Sequence, residues 1–213
     1  MIILVGGEKG GTGKTTLVTN LITLHMMKGK DALLVDTDKQ GSASSWTESR
    51  EEEGHTPRIP CVQKFGKYLA GDIEDLKTRY DDIFIDAGGR DNIELRASLI
   101  VADRVYIPVQ ASQYDVWTLD QMDFLIAQSQ ALNPKLQAFI LINRASTNPS
   151  VKETEEARNF ILDYENIGFS EVIIRDRIAF RKSAGEGQSI FEFIPRDKKA
   201  VDEINSLYNH IFQ

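Results

Sequence analysis

The stretch GGEKGGTGKTTL, residues 6–17, decides the fold. It follows a short apolar run at 2–5 and opens a segment whose leucines and isoleucines recur at helical spacing. A glycine-rich turn between a strand and a helix lets backbone N–H groups converge on an anion at the helix N-terminus. A dinucleotide-binding fingerprint is the rival interpretation, but it needs no lysine and hydroxyl residue directly after its last glycine. The stretch therefore predicts a phosphate-binding loop, with Lys14 reaching the β- and γ-phosphates and the Thr15 hydroxyl on Mg²⁺.

The predicted phosphate contacts are the residues that form this loop and start the helix. They are Gly10, Gly11, Thr12, Gly13, Lys14, Thr15 and Thr16. Two residues ahead of them depart from the usual form of such a loop. Glu8 stands where the first glycine is usual, and a second lysine, Lys9, precedes the glycines. Any functional interpretation of the loop has to account for Lys9.

The composition sets limits on what the chain can be. Its 213 residues, 41% hydrophobic and 27% charged, predict a single domain over 1–213. One cysteine, Cys61, excludes an internal disulfide and a multi-cysteine metal site within one chain, which suits a reducing cytoplasm. No apolar run approaches the roughly 18 residues that span a bilayer. The net charge of −7 argues against binding polyanions with the whole surface, so any nucleic-acid contact requires a local basic patch.

Short apolar runs alternate with longer segments of helical periodicity along the chain. The predicted strands lie at 2–5, 32–36, 59–62, 83–87, 104–109, 138–143 and 171–174, and the predicted helices at 14–28, 42–53, 66–79, 91–102, 115–132, 150–165, 178–184 and 197–212. Continuous apolar runs favour parallel strands that are covered on both faces. The alternation therefore predicts an α/β fold, with a doubly wound, mainly parallel sheet and helices on both faces.

The run KGGTGKT at 9–15 resembles the signature K-G-G-x-G-K-[ST] of the deviant-Walker-A ATPases, the ParA/MinD group of P-loop NTPases. The resemblance implies ATP and Mg²⁺ as cofactors. It also implies a homodimer that sandwiches ATP, in which Lys9 of one subunit reaches phosphates bound by the other. A cation supplied in trans stabilises charge spread over the phosphoryl oxygens, so it couples ATP to dimerisation. Because the loop begins at residue 6, the chain resembles most the small partition ATPases that lack a helix-turn-helix.

The segment LLVDTDKQGS at 33–42 is similar to the family's switch I, D-x-D-P-Q-G, with Lys39 in place of the usual proline. The resemblance assigns Asp38 to orienting the attacking water, which makes it catalytic together with Lys9 and Lys14. Asp36 would support Mg²⁺ or hold the loop from behind. A loop carboxylate that caps the next turn is the alternative interpretation of Asp36.

The segment DDIFIDAGGRD at 81–91 resembles a Walker B motif followed by switch II. Asp86 would hold Mg²⁺ through water, so the predicted metal set is Thr15, Asp36 and Asp86. Gly88 or Gly89 would sense the γ-phosphate. Family members often carry a proline near this position, which the chain lacks.

The base contacts rest on resemblance. The family commonly places an asparagine at the end of a strand against the adenine, and LINR ends with Asn143 and Arg144. A turn-forming asparagine is the alternative. The FIPRD segment is similar to the one that closes over the base, so Pro195 and Arg196 are also predicted nucleotide contacts.

A basic cluster in the stretch at 173–187 stands out in an otherwise acidic chain. Its members, the predicted DNA contacts, are Arg175, Arg177, Arg181 and Lys182. Family members place DNA-contacting residues in this C-terminal region, and doubling the cluster across a dimer would make binding to DNA strongly salt-dependent. A solvated helix with local salt bridges to Asp176 and Glu186 is the alternative.

The C-terminal segment carries an apolar stripe at helical spacing and an acidic opposite face. Its apolar residues are Val201, Ile204, Leu207, Tyr208 and Ile211. Because an acidic face is repelled by anionic lipid, this helix is predicted to pack on the core, with no membrane partner.

The sequence thus predicts a ParA-type partition ATPase, cytoplasmic and associated with the nucleoid. Its ATP-dependent dimer would bind DNA nonspecifically, and a ParB-type centromere-binding protein or cargo adaptor would stimulate hydrolysis and release. A MinD-like or protein-cargo-positioning ATPase and a dethiobiotin-synthetase-like metabolic enzyme are the alternatives. A nitrogenase iron-protein-like reductase is nearly excluded, because a cluster shared between two subunits needs two cysteines per chain.

Overall fold

A computed structural model describes residues 1–111, 118–148, 157–158 and 164–213. The strands are β1 (Ile2–Val5), β2 (Ala32–Asp36), β3 (Cys61–Gln63), β4 (Asp82–Asp86), β5 (Arg104–Val109), β6 (Gln137–Ala145) and β7 (Gly168–Arg175). The helices are α1 (Lys14–Met27), α2 (Ser42–Glu52), α3 (Leu69–Lys77), α4 (Ile93–Val101), α5 (Leu119–Leu132), α6 (Ile178–Gly185) and α7 (Lys198–Phe212). The predicted helix at 150–165 lies mostly outside the described residues.

The seven strands form one sheet in the order β3-β2-β4-β1-β5-β6-β7. Every neighbouring pair is parallel. The predicted α/β fold with a doubly wound parallel sheet is therefore confirmed. The first strand lies at the centre of the sheet, so the loop that follows it emerges at the carboxyl edge between β4 and β5, where open α/β sheets bind their ligands.

Both faces of the sheet are buried, which explains the continuous apolar runs. In β1, Ile2 and Leu4 face a cluster completed by α3, α4 and α5, whereas Ile3 and Val5 face a cluster completed by α1, α2, α6 and α7. All four side chains are 1% exposed or less. Because successive strand residues point to opposite faces, a strand between two helical layers must be apolar at every position.

The C-terminal helix packs on the core through its apolar stripe. Val201, Ile204, Leu207, Tyr208 and Ile211 are all buried. The Arg104 guanidinium donates to the carbonyl oxygens of His210 and Ile211, at 2.8 and 2.5 Å, and so satisfies acceptors that the helix end leaves open. Within the described part of the chain, no helix is both long enough and apolar enough to cross a membrane.

Candidate nucleotide-binding site

The loop between β1 and α1 already holds the side chain of Lys14 in place. Lys14 is the first residue of α1 and only 7% exposed, and its ammonium donates to the Lys9 carbonyl oxygen at 2.7 Å. Burial lowers the pKa of Lys14, and the nearby carboxylates of Asp86 and Asp38 oppose that shift. The loop thus keeps a partly desolvated cation close to the helix N-terminus, an arrangement suited to binding an anion.

Two side chains from the end of β6 brace this loop from the side. The Asn143 carboxamide donates to the Thr12 carbonyl oxygen at 2.6 Å, and the Arg144 guanidinium donates to the Gly11 carbonyl oxygen at 2.8 Å. Asn143 is 4% exposed. Its amino group therefore serves the loop, and its carboxamide oxygen remains as the acceptor it can offer to a ligand.

Replacing Gly13 by alanine is expected to destabilise the fold and weaken nucleotide binding. Gly13 has a φ of 89°, and a Cβ added there would lie 2.5 Å from Asn143 Nδ2. The strained backbone and the collision together are expected to cost about 1–3 kcal/mol of unfolding free energy, measured by denaturant titration. Gly10→Ala is the control, because a Cβ there meets no described atom within 4 Å. Equal stability of the two variants would contradict the bracing role of Asn143.

A carboxylate at the end of β4 is a candidate group for holding a metal ion. The Thr15 hydroxyl donates to Asp86 Oδ2 at 2.6 Å, whereas Asp86 Oδ1 is buried and has no hydrogen-bond partner in the described part of the chain. Burial raises the pKa of Asp86 to about 7, the neighbouring carboxylate of Asp36 adds to the shift, and the Thr15 hydrogen bond and Lys14 oppose it. An unsatisfied buried carboxylate oxygen beside a hydroxyl fits a hard divalent cation such as Mg²⁺.

Both carboxylate oxygens of Asp36 accept hydrogen bonds from the segment that follows β2. Its Oδ1 accepts from the Asp38 backbone N–H at 3.0 Å, and its Oδ2 accepts from the backbone N–H and the hydroxyl of Ser44 at 2.9 and 2.8 Å. These bonds tie the end of β2 to the first turn of α2. The geometry favours support of the loop from behind and the capping alternative over direct metal ligation.

The two predicted switch loops meet each other and the phosphate loop. The Asp38 carboxylate accepts from the Gln40 backbone N–H at 3.0 Å and faces Gly88, where an added Cβ would lie 3.3 Å from Asp38 Cγ. An added Cβ on Gly89 would lie 2.6 Å from Gly10 N and 2.9 Å from the Lys9 carbonyl carbon. Position 89 therefore requires glycine, because its backbone packs directly on the peptide that follows Lys9.

A cavity of about 140 Å³ opens beside the start of α1. It is lined by Gly13, Thr16, Leu17, Asn143, Arg144, Ile174, Arg175, Asp176, Phe180 and Arg181. Its position next to the phosphate loop suits a nucleotide base. Pro195 and Arg196, predicted to close over the base, are exposed and do not line this cavity, so their contact with the base stays a prediction. The loop after β7 does line it, through Asp176.

The comparisons with known proteins agree with this geometry. Residues 3–202 match the family described as the CobQ/CobB/MinD/ParA nucleotide binding domain. The chain belongs to this family. The ParA/MinD resemblance inferred from the sequence is thereby confirmed.

Relatives and solved structures of this family match nearly the whole chain. Maintenance of carboxysome distribution protein A of Halothiobacillus neapolitanus is 27% identical over 98% of this chain and 95% of its own length. The sporulation initiation inhibitor protein Soj of Bacillus subtilis is 24% identical over 93% of each chain. A plasmid partition protein from Borrelia burgdorferi has the same fold, with a TM-score of 0.67 at 20% identity over 99% of this chain and 97% of that one. An ATP complex of a McdA variant from Cyanothece has a TM-score of 0.75 at 13% identity over 99% and 96%.

The residues of the predicted basic cluster have different partners and different exposures in the structure. Arg177 is 12% exposed and pairs with Glu203 of α7 at 2.6 Å, and Arg175 reaches the same carboxylate at 3.3 Å. Arg181 lies 3.5 Å from Asp176, the pairing foreseen by the alternative interpretation. Lys182 is exposed. The four residues therefore differ in environment: Arg177 is held in a largely buried ion pair, whereas Arg175, Arg181 and Lys182 are exposed enough that their contact with DNA stays a prediction.

The sequence interpretation missed Asp176 and Phe180 as residues of the cavity. Asp176 follows β7 directly, and its backbone N–H donates to the Ala145 carbonyl oxygen at 2.8 Å. The sequence feature that could have identified Asp176 is its place just after a predicted strand, because Asn143 was chosen for its place at the end of one. Only the order of the strands reveals that these two strand ends are neighbours.

Proposed function

We propose that this member of the family is a ParA-type ATPase that positions DNA or a cargo. In the proposal, binding of ATP and Mg²⁺ produces a dimer that holds DNA nonspecifically. A ParB-type centromere-binding protein or another cargo adaptor stimulates hydrolysis and releases it. The observation that carries the proposal is the contact of Gly89 with the Lys9–Gly10 peptide. Through this contact, a change at the γ-phosphate side of the site can reach the lysine that is expected to face the partner subunit.

In this proposal each residue of the site has a distinct role. The loop at 9–15 binds the phosphates, with Lys14 compensating their charge. Thr15 and Asp86 would hold Mg²⁺, whose chemistry is to neutralise charge on the β- and γ-phosphate oxygens. Asp38 orients the attacking water, and Lys9 contributes a cation to the partner's nucleotide.

The surface proposed for DNA is built from exposed cations outside the cavity, on α6, just before α7 and in the first turn of α7. They are Lys182, Arg196, Lys198 and Lys199. The Arg177–Glu203 ion pair connects the two elements and so keeps these cations on adjoining segments. A protein that touches only phosphates needs no recognition helix, and its affinity falls steeply with salt. We place the protein in the cytoplasm, associated with the nucleoid.

The test is binding to random-sequence duplex DNA with ATP and with ADP at several salt concentrations. Wild type is expected to bind with ATP and to release with ADP. The triple variant Lys182→Ala, Lys198→Ala, Lys199→Ala is expected to lower the slope of log affinity against log salt by roughly 3 per subunit. Lys30→Ala, an exposed lysine in the loop before β2, is the control and should leave the slope unchanged. Failure of wild type to bind DNA in either nucleotide state would contradict the DNA part of the proposal.

A protein compartment is the second candidate for the cargo. The relative from Halothiobacillus neapolitanus is named for carboxysome distribution and matches this chain almost from end to end. The DNA-tethered switch would be the same for such a cargo, and only the adaptor would differ. A metabolic enzyme on this scaffold would instead show ATP turnover that depends on a small molecule rather than on DNA and an adaptor.

A further inference from the structure

The cavity beside Gly13 is bordered by an arginine–aspartate pair that no part of the proposed function uses. Arg181 Nη1 lies 3.5 Å from Asp176 Oδ2, and both residues line the cavity. The Arg181 side chain is 60% exposed and that of Asp176 is 38% exposed. A side chain that lines a cavity and is still largely exposed stands at its open rim.

The walls of the cavity suit the flat apolar faces of a purine. Leu17, Ile174 and Phe180 are all buried and contribute apolar surface. The Asn143 amino group is already used by the Thr12 carbonyl. The cavity therefore combines apolar walls and a carboxamide oxygen with a planar guanidinium at the rim. A guanidinium is attracted to the face of an aromatic ring, and because it is planar it can also stack on that face, which an ammonium cannot do.

We propose that Arg181 is a nucleotide contact that stacks on the purine base, with Asp176 as the residue that orients its guanidinium. Arg181 then contributes to the affinity for ATP and is not a DNA contact. The assignment rests on the proposed function, because it requires that the phosphate loop bind ATP. The tasks are divided: the loop and Mg²⁺ would hold the triphosphate, and Arg181 would hold the base.

The experiment compares two ligands that differ in the presence of a base. Calorimetry with Mg²⁺ gives the Kd of ATP and of inorganic tripolyphosphate for wild type and for Arg181→Ala. ATP binding is expected to weaken roughly tenfold, the size of a partly desolvated cation–π contact, whereas tripolyphosphate binding stays unchanged. Arg181→Lys keeps the positive charge but replaces the planar guanidinium by an ammonium. Its ATP affinity is therefore expected to lie between that of Arg181→Ala and that of wild type. Arg79→Ala, another exposed arginine, is the control for the loss of a surface charge.

The possible outcomes separate this inference from the proposed function. Equal weakening of both ligands would place Arg181 at the phosphates and overturn the assignment. Unchanged ATP affinity together with weakened DNA binding would restore Arg181 to the DNA surface and overturn it as well. Failure of wild type to bind ATP would overturn the proposed function itself, and this inference with it. Loss of ATP affinity alone, in Arg181→Ala and not in Arg79→Ala, supports the base contact.

Discussion

Replacing Lys14 by methionine is expected to weaken ATP binding by roughly a hundredfold or more, as judged from the strength of charge-assisted hydrogen bonds. Lys14 is buried at the helix N-terminus, and its ammonium is held by the Lys9 carbonyl, so it is already placed for phosphates. Methionine keeps the length and the apolar stem and removes only the charge. Titration with a fluorescent ATP analogue measures the loss.

The control for this substitution is Lys30→Met, which removes a lysine from an exposed loop and should leave the affinity unchanged. Thermal unfolding of both variants establishes that they fold. If Lys14→Met bound ATP within threefold of wild type, the phosphate site would lie elsewhere. The buried carboxylate of Asp86 and the half-buried carboxylate of Asp38 would then need another cation to compensate them.

The phosphate loop could be predicted from sequence because its residues are consecutive in the chain. The loop, the first turn of α1 and the strand-end aspartates each sit beside a regular element whose periodicity is visible. The predicted strands all appear in the sheet, although β6 and β7 run beyond the segments predicted at 138–143 and 171–174. Parallel pairing to a neighbour extends a strand past its apolar residues, as at the Phe139–Gly168 pair.

The base cavity and the basic cluster could not be predicted in the same way, because their partners are distant in sequence. Arg177 is paired with Glu203, 26 positions away, and no local pattern distinguishes that carboxylate from the other acidic residues of the chain. A charge cluster in sequence says nothing about which of its members the fold neutralises. The choice of Pro195 and Arg196 for the base rests on resemblance and stays a prediction, and only the sheet order shows that the loop after β7 lies beside Asn143.

Replacing Lys9 by alanine is expected to lower ATP turnover by about 10³-fold, the low end of what a cation supplied in trans contributes. Binding of ATP to the single subunit should be nearly unchanged, because the loop carbonyl that holds Lys14 belongs to the backbone and survives the substitution. Light scattering with ATP is expected to show loss of the dimer, and phosphate release measures turnover. A dimer that forms normally in the variant would contradict the role of Lys9 between subunits.

A mixture of two inactive variants tests whether Lys9 acts in trans. Lys9→Ala retains its ATP site and lacks the lysine, whereas Lys14→Met lacks the ATP site and retains Lys9. If Lys9 serves the partner's nucleotide, a heterodimer has one complete site, and an equal mixture recovers up to about a quarter of the wild-type rate in a symmetric dimer. If Lys9 acts within its own subunit, no combination assembles a complete site and the mixture stays inactive. The double variant Lys9→Ala, Lys14→Met mixed with Lys9→Ala is the matched control and should remain inactive in both cases. Recovery would therefore assign the second lysine of the loop to the neighbouring subunit's ATP, because no other arrangement of these two lesions restores a site.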